Sequence, residues 1–181
     1  MKKKWMALIT AAVLAMAVTA CGSKEDTQTQ ESETVSQEVA DTLGQKLLAV
    51  FEEEVEANAQ ASAQELADAV ITDELILFSG GTVPVEPGIL TGFGNAEITG
   101  FKEGVMFAPM IGTIPFVGYV FTLEEGADAD GFVQTLTDNA DPRWNICTEA
   151  EETVAEAAGD KVFFLMCPTS LEDNNEQNMS E

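Results

Sequence analysis

The chain contains no histidine, a single arginine and a single tyrosine. Without imidazole it lacks the commonest general base, the commonest metal ligand and the usual activator of a Ser or Cys nucleophile. Positive charge is also scarce: eight Lys and Arg stand against 32 Asp and Glu. Three of the eight are Lys2, Lys3 and Lys4, so only Lys24, Lys46, Lys102, Arg143 and Lys161 serve the rest of the chain. Nucleic acid is thereby excluded as a partner, because binding it depends on neutralising phosphates with Lys and Arg. An anionic lipid surface would also repel this acid-rich part of the chain. Glycines are present but match no nucleotide fingerprint, since Gly80-Gly81 and Gly92-Phe93-Gly94 read as turns. Asp128-Ala129-Asp130-Gly131 lacks the spacing and terminal Glu of a calcium loop. No metal site and no cofactor are expected.

What is present begins with the N-terminus. Lys2–Lys4 precede an apolar run from Trp5 to Val18, interrupted by Thr10, and small residues lead to Cys21. A basic n-region, a short h-region and small residues before a cleavage point make a secretory signal. The run falls short of the ~20 apolar residues that span a bilayer. The tetrapeptide Val18-Thr19-Ala20-Cys21 resembles the lipobox of bacterial lipoproteins. That resemblance implies cleavage before Cys21 and a diacylglyceryl group on its thiol, and two acyl chains anchor a protein firmly where one does not. The alternative is ordinary cleavage after Ala20 and release.

Composition divides the chain into 1–20, a lipoprotein signal peptide; 21–41, the lipidated Cys and an acidic linker; 42–169, one domain; and 170–181, an acidic tail expected to be disordered. The linker is Ser, Thr, Gln, Glu and Asp with almost nothing to bury. As a random coil of this length it would reach roughly 25 Å.

Within the domain, Leu43, Leu47, Val50, Phe51 and Val55 recur at helical spacing over about 39–58. Ser62-Ala63-Gln64-Glu65 forms a capping box that starts a second helix. Residues 80–100 read as an irregular connection punctuated by Gly and Pro. The apolar stretch 105–123 is long enough to suggest a membrane span, but Pro109, Gly112, Pro115 and Gly118 argue instead for two strands, about 105–109 and 116–123. Asp128 caps a helix to Ala140 that Asp141-Pro142 terminates. Two strands follow, about 146–155 and 161–167, the latter apolar on both faces and therefore expected to be central. The predicted fold is α+β, a four-stranded and mostly antiparallel sheet (ββαββ) with the N-terminal helices packed on it.

The segments Phe101-Lys102-Glu103-Gly104-Val105-Met106-Phe107-Ala108-Pro109-Met110-Ile111-Gly112, Asn139-Ala140-Asp141-Pro142-Arg143-Trp144-Asn145-Ile146-Cys147 and Gly159-Asp160-Lys161-Val162-Phe163-Phe164-Leu165-Met166 carry a wider resemblance. Together they look like an uncharacterised family of small Gram-positive lipoproteins that contain a domain of unknown function. The resemblance covers roughly Ser62 to Pro168. It implies an anchored, extracytoplasmic setting and transfers no activity and no catalytic residue.

Three groups of residues are candidates for function. Cys147 and Cys167 fall nearly opposite each other if the last hairpin turns at Ala157; they form a disulfide if the register brings their Cα atoms to about 4.4–6.8 Å, and otherwise are small buried thiols. Arg143 and Trp144 could contact an anion or a partner; their alternatives are an ion pair with Asp141 or Glu149 and a core plug. Met110, Ile111, Ile114 and Pro115 form an apolar loop that either tucks under 58–100 or serves as a contact surface. These readings point to a non-catalytic binding or interaction module held by the Cys21 lipid at the outer face of the cytoplasmic membrane, its partner an envelope protein or a small molecule. The alternatives are an envelope hydrolase using a carboxylate pair and a solute-capturing accessory lipoprotein.

Overall fold

A computed structural model describes residues 42–111 and 113–171. The signal peptide, Cys21, the linker and nearly all of the acidic tail lie outside the described residues. The elements run α1 (Leu43–Ala57), α2 (Ala63–Thr72), β1 (Gly80–Val85), β2 (Gly88–Ile89), β3 (Glu97–Ile98), β4 (Phe101–Pro109), β5 (Val117–Leu123), α3 (Ala129–Asn139), β6 (Glu152–Ala158) and β7 (Lys161–Cys167). The class is α+β, as expected, but the main sheet has five strands rather than four. Its order is β1-β4-β5-β7-β6, every pairing is antiparallel, and β2 and β3 form a separate two-stranded ribbon.

The expected ββαββ pattern is not matched as a whole: β4-β5-α3-β6-β7 follow in that order, but the sheet has one strand more. The fifth strand is β1, which lies in the region read as irregular. It pairs with β4 from Gly80↔Pro109 to Val85↔Gly104. Pro84 is tolerated there because an edge strand leaves one side of its ladder unpaired. The strand β7 is interior, as its apolar faces require, but the middle of the sheet is β5.

Alternation along the strands builds two cores. In β7, Phe163, Leu165 and Cys167 point toward α1 and α2, where they meet Leu47, Phe51, Leu66 and Val70. The intervening Val162, Phe164 and Met166 point to the other face, against Phe132 and Leu136 of α3 and against Phe93 and Ile98 around the β2–β3 ribbon. The sheet is thus covered on both faces, which is why β5 and β7 are buried throughout.

Each helix starts as its sequence dictates. Thr42 caps α1 and its Oγ1 accepts the Gln45 N–H. The Ser62–Glu65 capping box is reciprocal, with Glu65 Oε2 accepting from the Ser62 N–H at 2.8 Å. Asp128 caps α3 by accepting the Gly131 N–H at 3.0 Å. Such a cap contributes about 1 kcal/mol.

One close approach in the sheet demands glycine. Gly118 faces Phe107 across the β4–β5 ladder, and a Cβ at 118 would overlap the Phe107 ring. That ring in turn lies 6.0 Å, centroid to centroid, from both Phe116 and Phe163.

A pair of carboxylates ties the start of the described chain to its end. Glu152, the first residue of β6, accepts from Thr42 Oγ1 at 2.6 Å and from the Gly44 N–H at 2.7 Å. It therefore sits at the N-terminus of α1, where the helix dipole favours negative charge. Glu151 accepts from the Thr169 N–H at 2.9 Å and Oγ1 at 2.7 Å. Leu43 N–H completes the junction by donating to the Thr169 carbonyl at 2.9 Å.

Candidate functional site

Antiparallel pairing sends one set of strand ends to the same side of the sheet. Gly80 lies beside Pro109, Val117 beside Met166, and Glu152 beside Cys167. The Met110–Pro115 loop, the segment before β6 and the Thr42–Thr169 junction therefore share this end. The opposite end carries the turns after Leu123 and at Gly159-Asp160.

The shared end collects most of the exposed large apolar side chains. Met110 is 71% exposed, Ile111 84% and Ile146 97%, and Leu77 is 59% exposed. Two hydrogen bonds hold their segments together. Met110 N–H donates to the Ser79 carbonyl at 2.9 Å, two residues from Leu77. Thr148 Oγ1 donates to the Thr113 carbonyl at 3.0 Å, which ties the Ile146 segment to the Ile111 loop.

The predicted contact loop thus divides. Met110 and Ile111 stand in solvent. Ile114 is half-buried and packs against the α1–α2 core, and Pro115 is half-buried beside it. The chain needs Ile114 to seal the core and has no packing use for Ile111.

The cysteines do not pair. The hairpin turns at Gly159-Asp160, two residues later than Ala157, and its register sets Glu152 opposite Cys167. Residues 146–151, expected to be strand, are loop, so Cys147 never enters the ladder. Cys147 is an exposed thiol and Cys167 a buried one. Burial pushes the Cys167 thiol far above its ordinary value, and the Glu152 carboxylate, 3.4 Å from Sγ, pushes it further. It is an inert apolar filler rather than a nucleophile.

Arg143 and Trp144, adjacent in sequence, do different things. The Arg143 guanidinium pairs with Glu149 at 3.6 Å, with both side chains well exposed, so the bond is worth little. Trp144 is half-buried against the α3-side core and lines an open cleft of about 330 Å³. Ile89, Leu90, Thr91, Gly92 and Asp141 line it as well. The cleft is well fixed from below. Asp141 N–H donates to the Gly92 carbonyl at 2.8 Å, and the buried Tyr119 hydroxyl donates to the Thr91 carbonyl at 2.8 Å. Desolvation raises the Tyr119 pKa above its ordinary value. Gly92 has a φ of +93°, and a Cβ there would come within 2.7 Å of Met166 Cε, so any side chain at this position is strained. Asp141 Oδ1 accepts the Arg143 N–H at 3.0 Å, as an Asx turn does.

Sequence reasoning singled out Trp144 but missed the cleft, because Ile89, Thr91 and Gly92 lie some fifty residues away in a stretch that reads only as turns. The one available signal was the Gly92-Phe93-Gly94 spacing, which marks a tight backbone without saying what packs on it. Among the described residues, no three carboxylate or thiol side chains converge as a metal-binding group, and no helix is long and apolar enough to cross a membrane. Comparison of the chain with protein-family models, with curated proteins and with solved structures finds no match.

Proposed function

We propose that the chain is a lipid-anchored, extracytoplasmic binding module of a bacterial envelope, non-catalytic, that engages a partner through the end of the sheet carrying Met110, Ile111 and Ile146. The observation that carries this reading is the gathering of Leu77, Met110, Ile111 and Ile146, four exposed large apolar residues whose segments are hydrogen-bonded together at that one end. Scattered exposed apolar residues need no explanation, whereas a contiguous group on a soluble surface commonly marks a contact site. The resemblance of Val18-Thr19-Ala20-Cys21 to a lipobox supports the setting. Thr42, where a linker from Cys21 joins the domain, lies at the same end, so a partner within roughly 25 Å of the bilayer is in reach.

Two substitutions and one anchor variant test the reading. Ile111→Ser should leave the melting temperature within about a degree or two, since the side chain has no packing to lose, yet abolish capture of the partner after cross-linking in the native membrane. Ile114→Ser should instead lower stability by about 1–2 kcal/mol, as expected for a half-buried residue. Cys21→Ser should remove fatty-acid label from the protein. Normal labelling of that variant would sink the anchor, and unchanged capture by Ile111→Ser would sink the contact surface.

A further inference from the structure

We infer that the Trp144 cleft is a binding site for an organic ammonium group, that is, a primary amine carried on a short aliphatic body. The inference rests on the binding-module reading and names the ligand chemistry of the same sheet end. Three observations support it. The cleft brings the aromatic Trp144 and the aliphatic Ile89 and Leu90 together with one carboxylate residue, Asp141, and with Thr91, Gly92 and Gly94. Asp141 spends Oδ1 on the Arg143 backbone N–H, and its other oxygen has no hydrogen-bond partner among the described residues. The nearest guanidinium, that of Arg143, is turned away to Glu149 and does not line the cleft.

Ile89, Leu90 and Trp144 offer apolar contact to a short carbon skeleton, and the free carboxylate oxygen calls for a donor with positive charge. An indole face adds attraction for a cation within about 6 Å of its centre. An anion is disfavoured on every count. The described residues contain only Lys46, Lys102, Arg143 and Lys161 as cations amid many carboxylates, and Lys161 is buried. The long-range field therefore draws cations to the surface and repels anions. The same ammonium could belong to a free diamine or to a lysine side chain of a partner protein.

The test uses the full chain in detergent with Trp5→Phe, which leaves Trp144 as the only tryptophan. Its fluorescence is followed during titration with 1,5-diaminopentane, with a neutral-ended tripeptide containing a central lysine, and with 1-pentanol as an uncharged control. The expected result is a saturable change with at least one amine, at millimolar concentration, and none with pentanol. The amine that binds more tightly identifies the source. Asp141→Asn preserves the acceptor for the Arg143 N–H and should weaken binding by about fivefold, the scale of one partly exposed ion pair. No saturable change with either amine, or equal binding by Asp141→Asn, would overturn the inference. The titration involves no membrane and no partner protein, so its failure leaves the contact surface standing, while lost capture with intact amine binding would locate the fault in that surface instead.

Discussion

The Phe107–Gly118 pair offers the sharpest test of how the sheet is packed. Gly118→Ala adds one methyl where the Phe107 ring already stands. The ring cannot retreat: it is fully buried, with Phe116 and Phe163 on its flanks. Overpacking of this kind costs about 1–3 kcal/mol, and the lack of room puts this site toward the upper figure. For a domain of this size each kcal/mol shifts the melting temperature by about 3–5 °C, so a fall on the order of 10 °C is expected. Phe107→Leu supplies the control. Leucine lacks the outer ring atoms, so the methyl at 118 then has space. On its own this change should cost roughly 1–2 kcal/mol in lost apolar burial. In that background Gly118→Ala should be neutral, or stabilising by about 0.5–1 kcal/mol, because Ala loses less backbone entropy than Gly in a strand. The four proteins are compared by urea denaturation and calorimetry. A coupling energy of about 2–3 kcal/mol is expected. Costs that add to within about 0.5 kcal/mol would mean that the two residues do not touch, and would refute the register of β4 against β5.

Two further expectations concern buried and exposed polar groups. Thr122 Oγ1 is a buried side-chain atom without a hydrogen-bond partner among the described residues, so Thr122→Val should stabilise the domain by about 1 kcal/mol, and a loss of that size would show that the hydroxyl is bonded. Hydrogen bonds from Thr169 hold the Glu151 carboxyl below its ordinary value of 4.5, as Ser62 does for Glu65. Because both folded values are depressed, the stability they supply is present above about pH 4.5 and is lost as pH falls through the folded values. Thermal melts between pH 7 and pH 3 should show this acid loss, reduced in Glu151→Gln; since Glu151 is exposed, its share should stay below about 1 kcal/mol. A variant with an unchanged acid limb would remove Glu151 from the account.

Local chemistry explains which parts of the fold were readable in advance. The helix starts at Ser62 and Asp128 are set by side chains within three residues of the groups they cap, so they show in sequence, whereas the first helix, expected from about residue 39, is capped at Thr42. The stop at Asp141-Pro142 and the doubly buried β7 are equally local. The edge strand β1 was hidden because Gly80, Gly81 and Pro84 interrupt its strand formers Thr82, Val83 and Val85, and because it depends on β4 for its pairing. Gly80 is there to leave room for Ile71, a contact that no local pattern discloses. The late start of β6 has a similar cause. Ile146 looks like a strand residue, but Glu151 and Glu152 are held by Thr169 and Thr42 from distant parts of the chain, and those bonds fix where pairing begins. At the candidate site, the apolar character of Met110 and Ile111 was legible, while their separation from Ile114 was not, because it depends on which side of the loop the α1–α2 core lies.

The junction of Leu43 with Thr169 has a consequence of a different kind. The described fold starts and finishes a hydrogen bond apart, so its path is almost a closed ring. A domain of this geometry can be spliced into a surface loop of a host protein with both seams at a single point, and neither host nor guest must stretch. The same economy allows the order of its segments to be rotated. With a short bridge across the junction and an opening at the Gly159-Asp160 turn, both core layers keep every strand neighbour except that one hairpin connection. The module is therefore portable: its architecture does not depend on standing alone at the end of a tether.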